Sequence, residues 1–225
     1  MATLSIVATP IGNLGDITLR ALETLKAADT IACEDTRVTS KLLTRYEISK
    51  PLVIYNSETA RAGGARVVDL LAEGKHVALV TDAGTPGVSD PGAELVALVR
   101  AELPEVRIDA IPGPAAFVAA LSIAGVPMHE FTFLGFLPNK KGRQTLFKEI
   151  ANEKRTVVFY ESPHRIEKAL DSLALVLDPS RRVAVARELT KIHEEIIRGS
   201  SSEVRDHFTA HPDTIRGEFV VIVAP

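Results

Sequence analysis

Two residue types are almost missing from this 225-residue sequence: it has no tryptophan and a single cysteine, Cys33. One thiol makes no internal disulfide, no thiolate metal cluster and no dithiol redox pair, so Cys33 reads as a buried, inert side chain. Aromatic residues are only 5% of the chain, which argues against a stacking platform for single-stranded nucleic acid. No stretch approaches the roughly 20 apolar residues needed to cross a bilayer, and Met1 is not followed by a basic segment and an apolar run. These absences predict a cytoplasmic chain with neither membrane span nor secretion signal. There is no surplus of positive charge either: 26 Lys and Arg against 29 Asp and Glu give a net charge of −3. A global electrostatic funnel for nucleic acid is excluded, and an RNA partner would require a local basic patch. What is present, 46% hydrophobic and 24% charged residues, excludes disorder. It suffices for one large core or two smaller ones sharing a cleft.

From Leu4 to Ile111 short β-branched runs alternate with longer amphipathic ones, the pattern of parallel strands joined by crossover helices. Strands are expected at Leu4–Ala8, Thr30–Cys33, Leu52–Tyr55, His76–Thr81 and Val106–Ile111. Their unbroken apolar character fits burial on both faces. Helices are expected at Ile17–Lys26, with Leu19, Leu22 and Leu25 as its packed stripe, and at Thr59–Ala72 and Pro91–Arg100. Pro112-Gly113-Pro114 forces a sharp turn and predicts the boundary between an N-terminal domain, 1–112, and a C-terminal one, 113–225. The second half reads as strands Phe131–Phe136, Thr156–Glu161, Val183–Glu188, Ile192–Arg198 and Glu218–Val223, with helices Pro114–Ile123, Arg143–Ala151, Pro163–Leu177 and Ser201–Thr209. Ser200 followed three residues later by Glu203 fits a capping box. The short gap between Val183–Glu188 and Ile192–Arg198 suits an antiparallel hairpin, hence a mixed sheet.

Charge is unevenly shared. Residues 1–112 carry eleven basic against fifteen acidic side chains, whereas Pro138–Arg165 is net +4. That window, with Lys140, Lys141, Arg143 and Arg165, is the candidate phosphate contact, set against an ordinary solvated surface.

Four turns rich in Gly and Pro or in charge follow predicted strands, where an open α/β sheet builds its binding crevice. Thr9-Pro10-Ile11-Gly12-Asn13-Leu14-Gly15-Asp16 lacks both G-x-G-x-x-G spacing and a Gly-Lys-Ser/Thr ending, which removes dinucleotide and triphosphate loops. Thr81 to Gly92 holds three glycines, two prolines and two carboxylates, and its glycines let main-chain groups approach a small ligand closely. Asp82 in it suits an ammonium, and the competing reading is a structural turn with Asp90 capping the next helix. Ile111 to Ala116 offers helix-start amides at Ala115 and Ala116 beside small side chains. Glu34-Asp35-Thr36-Arg37 crowds charges at a strand end, to bind something or to form a self-contained Asp35–Arg37 pair.

In the second half, Phe159 to Arg165 and Ala186 to Lys191 also place charges at strand ends. His207 and His211 share i,i+4 spacing but nothing completes a ligand set, so no metal is expected. No serine sits in G-x-S-x-G, and a hydrolase elbow is unsupported.

The ordered motifs T-P-I-G-N-L-G-D-I-T, E-D-T-R, D-A-G-T-P-G-V-S-D-P-G, I-P-G-P-A-A, F-L-G-F-L-P, F-Y-E-S-P-H-R, A-R-E-L-T-K and G-E-F-V closely resemble the ribosomal RNA small subunit methyltransferase I family. More loosely, they resemble the wider tetrapyrrole (corrin/porphyrin) methylase superfamily. The resemblance spans the whole chain. It implies two α/β domains with a cleft for S-adenosylmethionine between them, 2′-O-methylation of a cytidine in small-subunit (16S) ribosomal RNA or the assembled small subunit, and a homodimer. Carried over, the cofactor positions are Pro10, Asp82, Ala83, Gly84, Thr85, Pro86, Val88, Ala115, Ala116, Phe136, Tyr160 and Ala186. At Ala115 relatives often carry a small hydroxyl or thiol, so only a main-chain contact is expected there. Relatives also commonly continue into a helical segment beyond Val220–Val223, whereas this sequence stops at Pro225. Either a shortened chain or a short member is implied, with weaker RNA affinity.

For the transfer itself, alignment of acceptor oxygen, methyl carbon and sulfur carries most of the acceleration, and a base accepts the hydroxyl proton. The candidates are Glu161 and Glu188, with Lys191 if burial lowers its pKa. Candidate substrate contacts are Arg37, Lys140, Lys141, Arg143, His164, Arg165 and Arg187. The alternatives are C-methylation of a tetrapyrrole, whose acidic arms the same cations would suit, and a non-catalytic RNA-binding module. Transfer of a labelled methyl group and binding of the cofactor discriminate among them.

Overall fold

The computed structural model describes residues 2–225, and the chain divides by its contacts into two compact units, Met1–Ala115 and Ala116–Pro225. The first contains β1 (Thr3–Val7), α1 (Leu19–Ala27), β2 (Thr30–Cys33), α2 (Thr36–Arg45), β3 (Leu52–Ile54), α3 (Ala60–Ala72), β4 (His76–Leu79), α4 (Gly92–Glu102) and β5 (Arg107–Ile111). The five strands form one parallel sheet in the order β3-β2-β4-β1-β5.

Alternation along the strands sorts the helices onto two faces. Leu4, Val77 and Leu79 pack with Val67, Leu70 and Leu71 of α3 and with Leu95 and Val99 of α4. Val7, Ala78 and Val80 pack with Ala21 and Leu25 of α1 and with Leu43 of α2. The chain leaving β1 therefore goes to one face and the chain leaving neighbouring β4 goes to the other. That divergence opens a crevice at the carboxyl ends of β1 and β4, the usual ligand position in an open α/β sheet.

Two local expectations need correction, and a third, the buried thiol of Cys33, is met. The chain over Thr36–Arg45, read as a loop of charges at its start, is helix α2; Asp35 is its N-cap and accepts the Arg37 amide. Helix α1 starts at Leu19 behind an N-cap on Thr18, whose side chain takes the Ala21 amide. Leu19 consequently sits in the first turn at 79% exposure, and the packed stripe is Ala21, Leu22 and Leu25. Cys33 is fully buried, and burial pushes its thiol above the ordinary value, away from thiolate chemistry.

The second unit contains α5 (Ala116–Ala124), β6 (Phe131–Phe136), α6 (Arg143–Asn152), β7 (Thr156–Glu161), α7 (Ile166–Val176), β8 (Arg182–Arg187), β9 (Glu195–Ser200), α8 (Ser201–Ala210) and β10 (Phe219–Val223). Its sheet runs β6-β7-β10-β8-β9, with β6 and β7 parallel and every other pair antiparallel. Phe147, Leu170, Leu173, Val204 and Phe208 of α6, α7 and α8 pack on one face with Phe159, Val185 and Val221. The predicted capping box is present: the Ser200 hydroxyl accepts the Glu203 amide at 3.2 Å, and the Glu203 carboxylate accepts the Ser200 amide at 2.7 Å. The hairpin's second strand begins at Glu195, three residues later than its apolar run suggested. Residues 188–194 form a connection instead, leaving Ile192 93% exposed.

Candidate active site

In the first unit the loops after β1, β2, β4 and β5 are tied to one another. Thr9 and Gly84 exchange two main-chain hydrogen bonds, from the Thr9 amide to the Gly84 carbonyl at 2.8 Å and from the Gly84 amide to the Thr9 carbonyl at 3.1 Å. The Thr9 hydroxyl also donates to the Thr81 carbonyl at 3.0 Å. Gly84 holds φ +88, a left-handed conformation that a side chain would strain. The Thr85 hydroxyl donates to the Pro114 carbonyl at 3.0 Å, joining the third turn to the second. On the other side, the Thr81 hydroxyl donates to Glu34 at 2.8 Å and the Asp35 amide to Asp82 at 3.1 Å.

Asp90 closes the loop, accepting the amides of Gly87 and Gly92 at 2.8–2.9 Å. It therefore braces the turn, with the Gly92 bond at the start of α4. Pro10, Gly84 and Pro86 are buried, Asp82, Thr85 and Val88 are half-buried, and Ala83 is exposed. Ala115 is half-buried at the end of this unit. Burial, and after it the Glu34 carboxylate, pushes the Asp82 carboxyl above the ordinary aspartate range. An acid in that condition gains from a cation beside it. Arg37 does not supply one freely: its guanidinium grips Asp35 at 2.6 Å, the self-contained pair, although its side chain stays 86% exposed.

In the second unit the carboxyl end of β7 is aromatic and then ionic. Tyr160 packs edge-on to Phe133 and lies 5.4 Å from the ring of Phe136, which is 55% exposed. The Tyr160 hydroxyl accepts the Phe117 amide at 3.3 Å in the first turn of α5, and burial pushes that phenol up. Ala116, half-buried, opens the same helix. Ala186 lies between Val220 and Ile196 within the sheet and is wholly buried, so it offers a ligand no surface.

The roles expected of four charged residues are revised by geometry. Glu161 is 1% exposed, and its carboxylate meets Arg143 at 2.6 Å and Arg165 at 2.8 Å. Its acceptors are consumed, so it positions these arginines and is not a general base. For the same reason Arg143, a buried residue, is no phosphate contact, and Arg187 is held at 2.8 Å by Glu195. Partial burial pulls the Lys191 ammonium down, but hydrogen bonds to Glu188 and Glu218, at 2.8 and 2.9 Å, outweigh it and hold the amine above the ordinary lysine value. A lysine kept protonated cannot accept a proton. Lys140, Lys141 and His164 are exposed, and Arg165 keeps 24% of its side chain accessible.

Glu188 remains as an acid at a strained turn. It has φ 50, Thr190 two residues on has φ 64, and a Cβ on Gly217 would lie 1.8 Å from the Glu188 carboxylate. Such left-handed non-glycine residues are maintained only where their surroundings over-determine them, and they concentrate at functional sites. Sequence reading overlooked Thr9 and Gly217 as determinants of these loops. The only available signals were their places in the T-P-I-G-N and G-E-F-V motifs, since neither carries an obvious reactive group.

A main-chain-rich crevice with small side chains and a half-buried carboxylate suits a nucleoside-like molecule bearing positive charge. The architecture is that of the tetrapyrrole (corrin/porphyrin) methylases, whose family model matches residues 3–205. Among solved structures, a uroporphyrin-III C-methyltransferase from Thermus thermophilus complexed with S-adenosyl homocysteine has a TM-score of 0.69 at 18% identity, covering 99% of this chain and 97% of its own. Sequence relatives are much nearer. The ribosomal RNA small subunit methyltransferase I of Halalkalibacterium halodurans is 49% identical over 98% of this chain and 75% of its own. That of Thermotoga maritima is 44% identical over 100% and 99%. The chain belongs to the ribosomal RNA small subunit methyltransferase I family, and it is an S-adenosylmethionine-dependent methyltransferase.

Proposed function

We propose that this chain methylates the 2′-oxygen of a cytidine ribose in small-subunit ribosomal RNA, acting in the cytoplasm as a homodimer. The observation that carries the reading is 44–49% identity, over 98–100% of the chain, to proteins named for that RNA. The tetrapyrrole reading draws on likeness of fold at 18–21% identity, which carries no substrate. No helix among the described residues is long and apolar enough to cross a membrane, and no cluster of metal-ligating side chains is found among them.

S-adenosylmethionine, when bound, supplies an already activated methyl group. In this reading the Thr81–Gly92 turn, with Pro10 and Ala115, holds the cofactor through main-chain atoms, and Asp82 faces its positive charge. In the second unit, Phe136 and Tyr160 are the candidates for an apolar contact with it. Ala116 belongs to the same set through its main chain. Lys140, Lys141 and His164 meet the RNA, with Arg37 as a further contact. Glu188 is the remaining candidate to accept the ribose proton, a contribution of about 10²–10⁴-fold.

The test supplies labelled methyl donor with unmodified small ribosomal subunits, with the bare RNA and with a uroporphyrinogen. Label on the ribose of a cytidine is expected; label on the macrocycle alone, or on nothing, overturns the proposal.

Asp82→Asn isolates the charge. A carboxyl raised above its unfolded value contributes stability that is complete below that unfolded value and lost as pH rises through the folded one. At neutral pH the ionised Asp82 therefore costs stability, and the variant should melt no lower than its parent. Affinity for S-adenosylmethionine should fall about tenfold, the scale of one charge–charge contact between carboxylate and sulfonium in a partly buried site. The loss should be smaller for S-adenosylhomocysteine, which lacks the sulfonium charge. Equal losses for both would separate Asp82 from the sulfur.

Glu188→Gln should lower turnover by on the order of 10²-fold while cofactor affinity stays within a factor of two. An unchanged single-turnover rate would take Glu188 out of proton transfer.

A further inference from the structure

The carboxylate of Glu161 holds two guanidiniums, and those guanidiniums hold a loop. Arg143 donates to the Pro138 carbonyl at 3.2 Å and packs its guanidinium 5.3 Å from the centre of the Phe147 ring. Arg165 donates to the Leu137 carbonyl at 3.1 Å, to the side-chain oxygen of Asn139 and to the Ser162 hydroxyl at 3.2 Å. The Ser162 amide returns to Glu161 at 2.9 Å. Three successive residues, Leu137 to Asn139, are thus gripped by groups that all converge on one buried acid. The next two are the exposed Lys140 and Lys141, and the Lys140 carbonyl accepts the Arg143 amide at 3.3 Å. A loop of exposed lysines normally samples many positions. Here its base is fixed from two sides by arginines whose planar forks leave little freedom.

We propose that Glu161 is a positioning residue for RNA recognition: through Arg143 and Arg165 it clamps the 137–139 segment so that Lys140 and Lys141 meet neighbouring phosphates in one fixed arrangement. The proposal rests on the RNA reading above, and it assigns Arg165 to the clamp and not to the phosphate. Two positive charges share one negative charge in the cluster, so an anion at the loop is also favoured by the surplus beneath it.

The experiment compares, in the full chain and at fixed salt, Lys140→Ala/Lys141→Ala, Arg165→Met and the triple variant. Arg165→Met leaves Glu161 paired with Arg143. Read-outs are KM and kcat with small ribosomal subunits, affinity for S-adenosylhomocysteine and the melting temperature. The lysine double variant should raise KM about tenfold, as expected for lost phosphate contacts. Arg165→Met should raise KM by a comparable factor, with kcat and S-adenosylhomocysteine affinity within twofold of the parent. The triple variant should be no worse than the double, because the clamp acts only through the lysines. If Arg165→Met leaves KM unchanged, or its effect multiplies that of the lysine pair, the clamp is overturned while the RNA reading stands. If the lysine pair itself changes nothing, the basic loop is not the RNA contact and the clamp fails with it, while the RNA reading is decided separately by the labelling of cytidine. Should Arg165→Met melt below the assay temperature, Arg165→Lys is used, with the same pattern expected.

Discussion

Gly92→Ala should lower kcat/KM by on the order of 10²-fold, the scale associated with displacing a binding group by about 1 Å. A Cβ at Gly92 would stand 2.7 Å from the Gly87 nitrogen and 2.8 Å from the Asp90 carboxylate oxygen. Neither neighbour is the free end of a flexible side chain: Asp90 is pinned by the Gly87 and Gly92 amides. The turn must therefore move, and with it Thr85, whose hydroxyl reaches Pro114. Overpacking of this kind costs roughly 1–3 kcal/mol of stability, so the variant still folds and the defect is read in function. Binding of S-adenosylhomocysteine by calorimetry checks it. Ala97→Ser, at an exposed position of the same helix, should bind as the parent does. Unaltered binding by Gly92→Ala would separate this turn from the cofactor.

Glu161→Ala should produce the largest loss of stability, about 3–5 kcal/mol, as found when one member of a buried ion pair is removed. The Arg143 and Arg165 side chains are only 10% and 24% exposed, and without Glu161 they repel one another in a site that water reaches poorly. For a chain of this size the shift in melting temperature is roughly 6–20 °C. A scanning calorimetry trace within 3 °C of the parent would show that the guanidiniums find other partners, chiefly the carbonyls they already touch. Glu161→Gln should fall between the two, keeping the shape and the acceptor oxygen while losing the charge.

Much of the first unit was legible because its strands are short apolar runs and its helices carry stripes at three- and four-residue spacing, signals that local sequence carries by itself. Helix α2 escaped notice because its first turn, Thr36 and Arg37, reads as polar loop, and the Asp35 cap that starts it looks like one more charge. The glycine- and proline-rich turns were recognisable as ligand loops, yet their mutual ties were not. Thr9 finds Gly84 across 75 residues, and Thr85 finds Pro114 across 29.

The ionisable residues divide most sharply. Glu161 and Glu188 stand in similar settings along the chain, each an acid at the end of a strand followed by charged residues. One is sealed between two arginines and the other lies in a left-handed turn against Gly217 and Lys191. Composition, periodicity and turn chemistry act over a few residues, and they were enough to specify the alternation of elements, while the family was legible only through the resemblance of the ordered motifs. Which carboxylate is neutralised, and which arginine is exposed, depends on distances between segments far apart in the chain. Coulomb and desolvation energies change steeply over those few ångströms, and only the folded chain sets them.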